Sequence, residues 1–270
     1  MTETERKELI KQTFNTVSEG YDRPAMRFFP ENAGHMAQYF QLNGSEDILD
    51  IATGTGYVAI EVAKKLSDGH VTGVDFSEGM LSEARRKAES HNAKNVTFKC
   101  MDIQALDFPS NRFDGACSGF GIFFLEDMLG TLSHIVDKVK VGGKILISTF
   151  AQNSFSPLSE MFKECIERYG VEVPSTSWKR LDTVEKNEKL FAEAGLKDVK
   201  VHKQSLGYYL KDEKEWWEVL WNAGFRSLIN QLSGEQVKAF KEEHLREIQT
   251  LKVDKGIWLT VDVLYTLGIK

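Results

Sequence analysis

Cysteine and proline are scarce in this chain, which has three cysteines and five prolines among its 270 residues. Cys100, Cys117 and Cys165 are widely spaced and odd in number, which argues against a disulfide framework and against a zinc site. The longer uncharged apolar stretches, residues 119–125 and 145–150, are far shorter than the ~20 residues that cross a bilayer. The sequence therefore predicts buried free thiols, no metal and no membrane span.

Positive charge is also in the minority, since 34 Lys and Arg stand against 40 Asp and Glu and the formal net charge is −6. This balance disfavours a protein that binds nucleic acid through bulk charge. The amino-terminal residues are charged and lack a secretory apolar core, so we expect a cytoplasmic location. Hydrophobic residues make up 41% and charged residues 27%, which is typical of a folded protein with a substantial core.

Strand and helix patterns alternate through the first 150 residues. After two helices over residues 4–18 and 30–42, strands are predicted at 47–52, 71–75, 96–100, 113–118 and 143–150, with helices at 57–66, 78–90 and 128–139 between them. Strands that alternate with helices form right-handed crossovers, so these five strands are predicted to be parallel.

The pattern changes beyond residue 150. It predicts a helix at 157–169, a loop through Ser177, a helix at 184–194, a strand at 198–209, a helical segment from 212 to about 251 and a final strand at 258–267. The last two strands should pair antiparallel. We therefore expect one domain over 1–270, with amino-terminal helices (1–45), a core (46–150) and helical substrate-side insertions (151–181 and 212–252).

A glycine turn follows the first strand, where Asp50, Gly54 and Gly56 end an apolar run. Glycines let a ligand approach the backbone, and the next helix directs its unpaired N–H groups at it. The turn fits the dinucleotide fingerprint Gly-x-Gly-x-x-Ala, and Asp75 ends the second strand where a ribose-binding acid belongs. The motif alone does not separate NAD from other adenosine ligands, and a turn that serves only packing is the structural alternative.

Two further motifs indicate which nucleotide is bound. Asp102 follows the third strand, and the fourth strand begins Phe113-Asp114. With these motifs the sequence resembles the class I S-adenosylmethionine-dependent methyltransferases, particularly the branch of ubiquinone and menaquinone C-methyltransferases, over about residues 15–205. Ala52 replaces that family's first glycine. The resemblance implies a Rossmann-like three-layer α/β sandwich, with a mostly parallel seven-stranded sheet, an antiparallel last strand and a helical lid insertion.

By this resemblance Asp75 binds both ribose hydroxyls, Phe76 packs on adenine, Asp102 accepts from the adenine amino group and Ile103 covers the ring. Met80 either contacts adenine or belongs to the core, and Asp102 could instead be a turn residue. The Tyr21 hydroxyl either bonds the cofactor's carboxylate or joins two helices. The full predicted cofactor set is Tyr21, Asp50, Ala52, Thr53, Gly54, Gly56, Asp75, Phe76, Met80, Asp102, Ile103, Ser118 and Gly119.

Methyl transfer is an in-line displacement that needs positioning and exclusion of water more than a catalytic side chain. His35, His134 and His202 are the candidate bases at neutral pH, but none is assigned. The aromatic residues Phe120, Phe123 and Phe124 line the substrate cavity or pack under a helix.

The acceptor is expected to be an apolar or aromatic small molecule. Trp217, Trp221 and Phe225 are predicted to share one helical face of the insertion, with Trp216 beside them. Core packing is favoured for this face over an aromatic lid on the acceptor.

Two other functions remain open. An NAD(P)-dependent oxidoreductase could use the same turn, although the chain has no Tyr-x-x-x-Lys pair. A methyltransferase-like partner subunit without activity is the non-enzymatic alternative, and the intact acids and glycines count against it. The expected partner is a small-molecule methyl acceptor, and the chain is expected to be a monomer or homodimer.

Overall fold

The computed structural model describes residues 2–173 and 177–270. Its main sheet has seven strands in the order β3-β2-β1-β4-β5-β9-β6. The strands of this sheet are β1 (Asp47–Ile51), β2 (His70–Asp75), β3 (Val96–Cys100), β4 (Phe113–Gly119), β5 (Val139–Phe150), β6 (Lys197–Ser205) and β9 (Asp262–Ile269). Strands β1 to β5 are parallel to one another. The prediction of five parallel strands is confirmed.

The strand order reverses between β1 and β4, which are hydrogen-bonded neighbours. At such a switch point the two crossovers leave in opposite directions, which opens a crevice at the carboxyl ends of the strands. The glycine turn after β1 and the segment after β4 both lie at this edge.

Strand β9 lies antiparallel between β5 and β6, with Thr266 opposite Ile147 on one side and Val201 on the other. The antiparallel pairing of the last two strands is therefore confirmed, but their predicted extents are wrong. The chain leaves the main sheet on both sides and forms a separate two-stranded sheet from β7 (Tyr208–Leu210) and β8 (Ile257–Leu259). The strands approach closely at Gly207, where a Cβ would lie 2.6 Å from the Trp258 ring.

Ten helices flank and cap the sheet in the described ranges: α1 (Glu3–Val17), α2 (Phe28–Tyr39), α3 (Tyr57–Ala63), α4 (Glu78–Ser90), α5 (Met128–Lys138), α6 (Leu158–Glu167), α7 (Val184–Glu193), α8 (Glu213–Asn222), α9 (Arg226–Ile229) and α10 (Gly234–Gln249). Local sequence sets several starts. Thr2 and Glu5 form a capping box at α1, and the Ser77 hydroxyl accepts the Met80 N–H at the start of α4. The predicted loop through Ser177 lies partly, at residues 174–176, outside the described residues.

The insertion over residues 212–251 consists of three helices. The prediction that Trp217, Trp221 and Phe225 share one helical face is therefore wrong. Helix α8 ends at Asn222, and Ala223 has an extended backbone. Gly224 follows directly, which explains the break because glycine is a poor helix former. Across the part of the chain that the structure describes, no helix is long and apolar enough to cross a membrane.

Candidate functional site

A cavity opens at the carboxyl ends of the central strands and encloses about 870 Å³, its open mouth included. Nine of the thirteen predicted cofactor residues line it: Tyr21, Ala52, Gly54, Asp75, Phe76, Met80, Asp102, Ile103 and Gly119.

A second cavity of about 420 Å³ lies beside the first and shares Tyr21 and Ala52 with it. Its walls include two more predicted residues, Asp50 and Thr53. The remaining two, Gly56 and Ser118, line neither cavity. Gly56 has φ +81°, and a Cβ there would lie 3.0 Å from the Ala84 side chain of α4. Gly56 therefore serves the close packing of the turn on α4.

The glycine turn needs the left-handed conformation at three positions, with φ +52° at Ala52, +54° at Gly54 and +81° at Gly56. Only Ala52 carries a side chain there, and this conformation costs a non-glycine residue roughly 1 kcal/mol or more. The alanine fits, as its small size predicted, but in a strained conformation.

Asp75 lies in the wall of the first cavity and accepts hydrogen bonds from the backbone. Its Oδ2 accepts the Gly54 N–H at 2.9 Å, and its Oδ1 accepts the Ser77 N–H at 2.9 Å. Burial raises the pKa of this carboxyl, and the backbone N–H groups oppose the rise. A carboxylate has about four lone-pair sites. The carboxylate can therefore still accept a hydrogen bond from a ligand.

Asp50 is fully buried beneath the turn. Its carboxylate accepts the Thr53 hydroxyl at 2.6 Å and the Cys117 thiol at 3.6 Å. Burial raises the pKa of Asp50 to about 7, against these hydrogen bonds. No basic side chain lines this second cavity among the described residues. Asp50 therefore places a titratable carboxyl group in the wall of the second cavity.

Helix α1 covers the first cavity with side chains that the sequence did not identify as site residues. Glu3, Arg6, Lys7, Ile10 and Phe14 line the cavity at helical spacing. The Lys7 Nζ lies 2.7 Å from Asp102 Oδ2. The amphipathic pattern of residues 4–18 predicted this helix, but no local signal identifies the surface on which its face packs.

The other end of the first cavity is apolar. Ile10, Phe14, Phe120, Phe124 and Leu125 line it. The Phe14 and Phe124 rings meet edge to face at 5.5 Å, and Phe120 is held by stacking on Phe150 at 4.1 Å. Of the three aromatic residues after β4, Phe120 and Phe124 line this cavity, whereas Phe123 is not among its lining residues.

Tyr21 lies between the two cavities, and its ring stacks on Phe29 with centroids 4.5 Å apart. Burial raises the pKa of its phenol far above the usual value. The next residue, Asp22, accepts the Thr55 hydroxyl at 2.7 Å and pairs with Lys87 Nζ at 2.7 Å. The turn that contains Tyr21 and Asp22 is thus attached to the glycine turn.

The candidate bases lie away from both cavities. His35 and His202 stack on Tyr39, and His134 Nε2 accepts the Leu106 N–H at 3.1 Å. None of the three histidines lines either cavity.

The insertion's tryptophans also contribute to packing and not to the cavity walls. Trp216 Nε1 donates to His244 Nε2 at 2.9 Å, and Trp217 packs on Phe240. Cys165 and Glu247 approach the same histidine in a group with metal-ligand spacing. Because Nε2 accepts a hydrogen bond, Nδ1 carries the proton of the neutral ring and has no lone pair for a metal. This cluster therefore has a structural role. The tryptophans of the insertion pack in the core, which is the interpretation that the sequence favoured over an aromatic lid.

Comparison with known proteins identifies the family. A family model described as a methyltransferase domain matches residues 48–143. The ubiquinone/menaquinone biosynthesis C-methyltransferase UbiE of Geobacter sulfurreducens is 32% identical over 176 residues, which are 63% of this chain and 67% of that protein. The aklanonic acid methyltransferase DauC of a Streptomyces species is 29% identical over 182 residues, which are 66% of this chain and 83% of that protein.

A solved structure supports the same fold. It is the phosphoethanolamine N-methyltransferase 2 of Haemonchus contortus in complex with S-adenosyl-L-methionine, which matches with a TM-score of 0.56 at 21% identity. The match covers 89% of this chain and 52% of that chain.

Proposed function

This chain belongs to the class I S-adenosylmethionine-dependent methyltransferases, and we propose that it methylates an apolar or aromatic small molecule. The observation that carries this proposal is the apolar end of the first cavity, where Phe14, Phe120 and Phe124 continue directly from the predicted cofactor residues. Aromatic and aliphatic side chains bury an apolar acceptor favourably. We also propose the single-domain organisation in which the 46–150 core binds the cofactor.

For the cofactor we propose that Asp75 binds the ribose hydroxyls and Asp102 the adenine amino group, with Phe76 and Ile103 against the ring. The remaining lone pairs of Asp75 support this assignment. When bound, the cofactor would supply a methyl group on a sulfonium sulfur. That sulfur leaves as a neutral thioether and needs no proton. The chain's own residues then hold the acceptor in line and exclude water, and α1 covers the reacting centre.

Among the described residues, no histidine lines either cavity. We therefore propose that the acceptor enters the cavity already as a nucleophile that needs no histidine base. The charged residues Arg6, Lys7 and Glu126 also line the first cavity.

The test follows a labelled methyl group from S-adenosylmethionine into extracted metabolites, protein and nucleic acid. Label in small molecules that partition into organic solvent is expected. Label in protein, nucleic acid or only polar metabolites contradicts the proposed acceptor class. Calorimetric titration with S-adenosylhomocysteine and NADH is the companion experiment, and binding of NADH alone would favour the oxidoreductase alternative.

A further inference from the structure

A buried lysine joins two segments of the cofactor site without lining either cavity. Lys87, on α4, is 8% exposed. Its Nζ lies 2.7 Å from Asp22 Oδ2, 3.0 Å from Thr55 Oγ1 and 3.1 Å from the centroid of the Tyr57 ring. The Thr55 hydroxyl also donates to Asp22 Oδ1 at 2.7 Å, which closes the network.

The network joins two of the segments that line the second cavity. Thr55 lies between the glycines of the turn after β1, and Asp22 directly follows Tyr21, which lines both cavities. The two segments are more than thirty residues apart in sequence. The side-chain bond between Thr55 and Asp22 and the ammonium of Lys87 therefore set how close Tyr21 lies to the turn.

We propose that Lys87 is a positioning residue for cofactor binding, which holds the turn containing Tyr21 and Asp22 against the glycine turn. This inference rests on the proposed cofactor site. A buried ammonium is costly unless it is paired and hydrogen-bonded. Here its pairing energy is available only when both segments are in place.

The charge of Lys87 gives the proposal a readout that a purely structural lysine lacks. The groups that face it are the carboxylate of Asp22 and the ring of Tyr57, and its own helix adds Arg86 and Glu83. Burial lowers the pKa of Lys87 to about 8, and Asp22 opposes this decrease. Above that pH the ammonium loses its proton and its charge-assisted bonds to the turn weaken.

The experiment is calorimetric titration with S-adenosylhomocysteine from pH 7 to 9.5. In the wild type, affinity is expected to fall about ten-fold more across this range than in Lys87→Met, which is expected to bind weakly at every pH. The ligand's own ammonium titrates in the same range, so the difference between the two proteins is the measurement. Lys87→Arg keeps its charge throughout and is expected to flatten the decrease.

Lys138→Met is the matched control, since Lys138 is a second buried lysine on an aspartate, with Nζ 3.0 Å from Asp137 Oδ2, and lines neither cavity. It is expected to keep the wild-type pH profile. If Lys87→Met does not fold, Asp22→Asn tests the same link and is expected to lose the same pH dependence. A wild-type pH profile in Lys87→Met or in Asp22→Asn overturns the inference. Absence of S-adenosylhomocysteine binding in the wild type would instead refute the proposed function.

Discussion

Ala52 and Gly121 face each other so closely that only one of them has room for a side chain. A Cβ built on Gly121 would lie 2.7 Å from the Cβ of Ala52 and 2.9 Å from the Ser118 hydroxyl. Both residues line the first cavity. Ala52, which replaces the family's first glycine, is thus accommodated by Gly121, which follows the neighbouring strand β4.

Gly121→Ala is expected to weaken S-adenosylhomocysteine binding by roughly ten-fold or more, because overpacking costs about 1–3 kcal/mol. The reciprocal exchange, Ala52→Gly with Gly121→Ala, removes the contact with the Ala52 Cβ and relieves the left-handed alanine. Only the contact with the Ser118 hydroxyl, which can rotate, remains, so affinity should return in large part. Calorimetry measures both variants. Gly34→Ala is the control, since a Cβ there meets no atom within 4 Å. A double variant as weak as Gly121→Ala would refute this complementarity.

Phe124→Ala is expected to raise the KM for the acceptor several-fold and to leave the Kd of S-adenosylhomocysteine within about two-fold, because Phe124 lines the apolar end of the cavity. Trp221→Ala is the comparison. Trp221 stacks on Trp217, and the Arg226 guanidinium carbon lies 3.3 Å from the centroid of the Trp221 ring. Because Trp221 lines neither cavity, its loss should change neither the acceptor KM nor the Kd of S-adenosylhomocysteine. Steady-state kinetics would contradict this prediction if Trp221→Ala raised the acceptor KM as much as Phe124→Ala.

Lys7→Met is expected to speed dissociation of S-adenosylhomocysteine, because the Lys7 to Asp102 ion pair holds α1 over the cavity. Both side chains are about a third exposed, and such pairs contribute up to about 1 kcal/mol, or roughly five-fold in rate. Stopped-flow displacement measures the rate. High salt should speed dissociation from the wild type but not from Lys7→Met. An equal salt response in both proteins would mean that the pair does not hold the helix.

The sequence predicted the parallel half of the sheet closely because alternating strand and helix patterns there are local. Asp75 and Asp102 could be placed at strand ends for the same reason. The partners of these acids could not be predicted: Lys7 is 95 residues from Asp102, and no periodicity shows which surface a helix covers. The single helical face predicted for Trp217, Trp221 and Phe225 is wrong because Ala223 and Gly224 interrupt the helix, and apolar spacing alone does not reveal such a break.

His244 makes stability depend on pH. Burial lowers its pKa to about 4, from about 6.5 in the unfolded chain. As the pH falls from 6.5 to 4, His244 binds a proton in the unfolded chain but stays neutral in the folded protein. The free energy of unfolding therefore falls, by on the order of 3 kcal/mol from this residue. Asp50, whose pKa burial raises to about 7, acts in the opposite direction over the same range.

Because these two contributions oppose each other, the measurement is the difference between variant and wild type in urea unfolding at pH 4.5 and 7. His244→Gln is expected to lose less stability than the wild type between pH 7 and 4.5, since no proton uptake by residue 244 remains. It should be less stable at pH 7, because Trp216 Nε1 donates to this imidazole. His202→Gln, at an exposed histidine, should keep the wild-type difference. If His244→Gln loses as much unfolding free energy as the wild type between pH 7 and 4.5, His244 is not the group that destabilises the fold in acid.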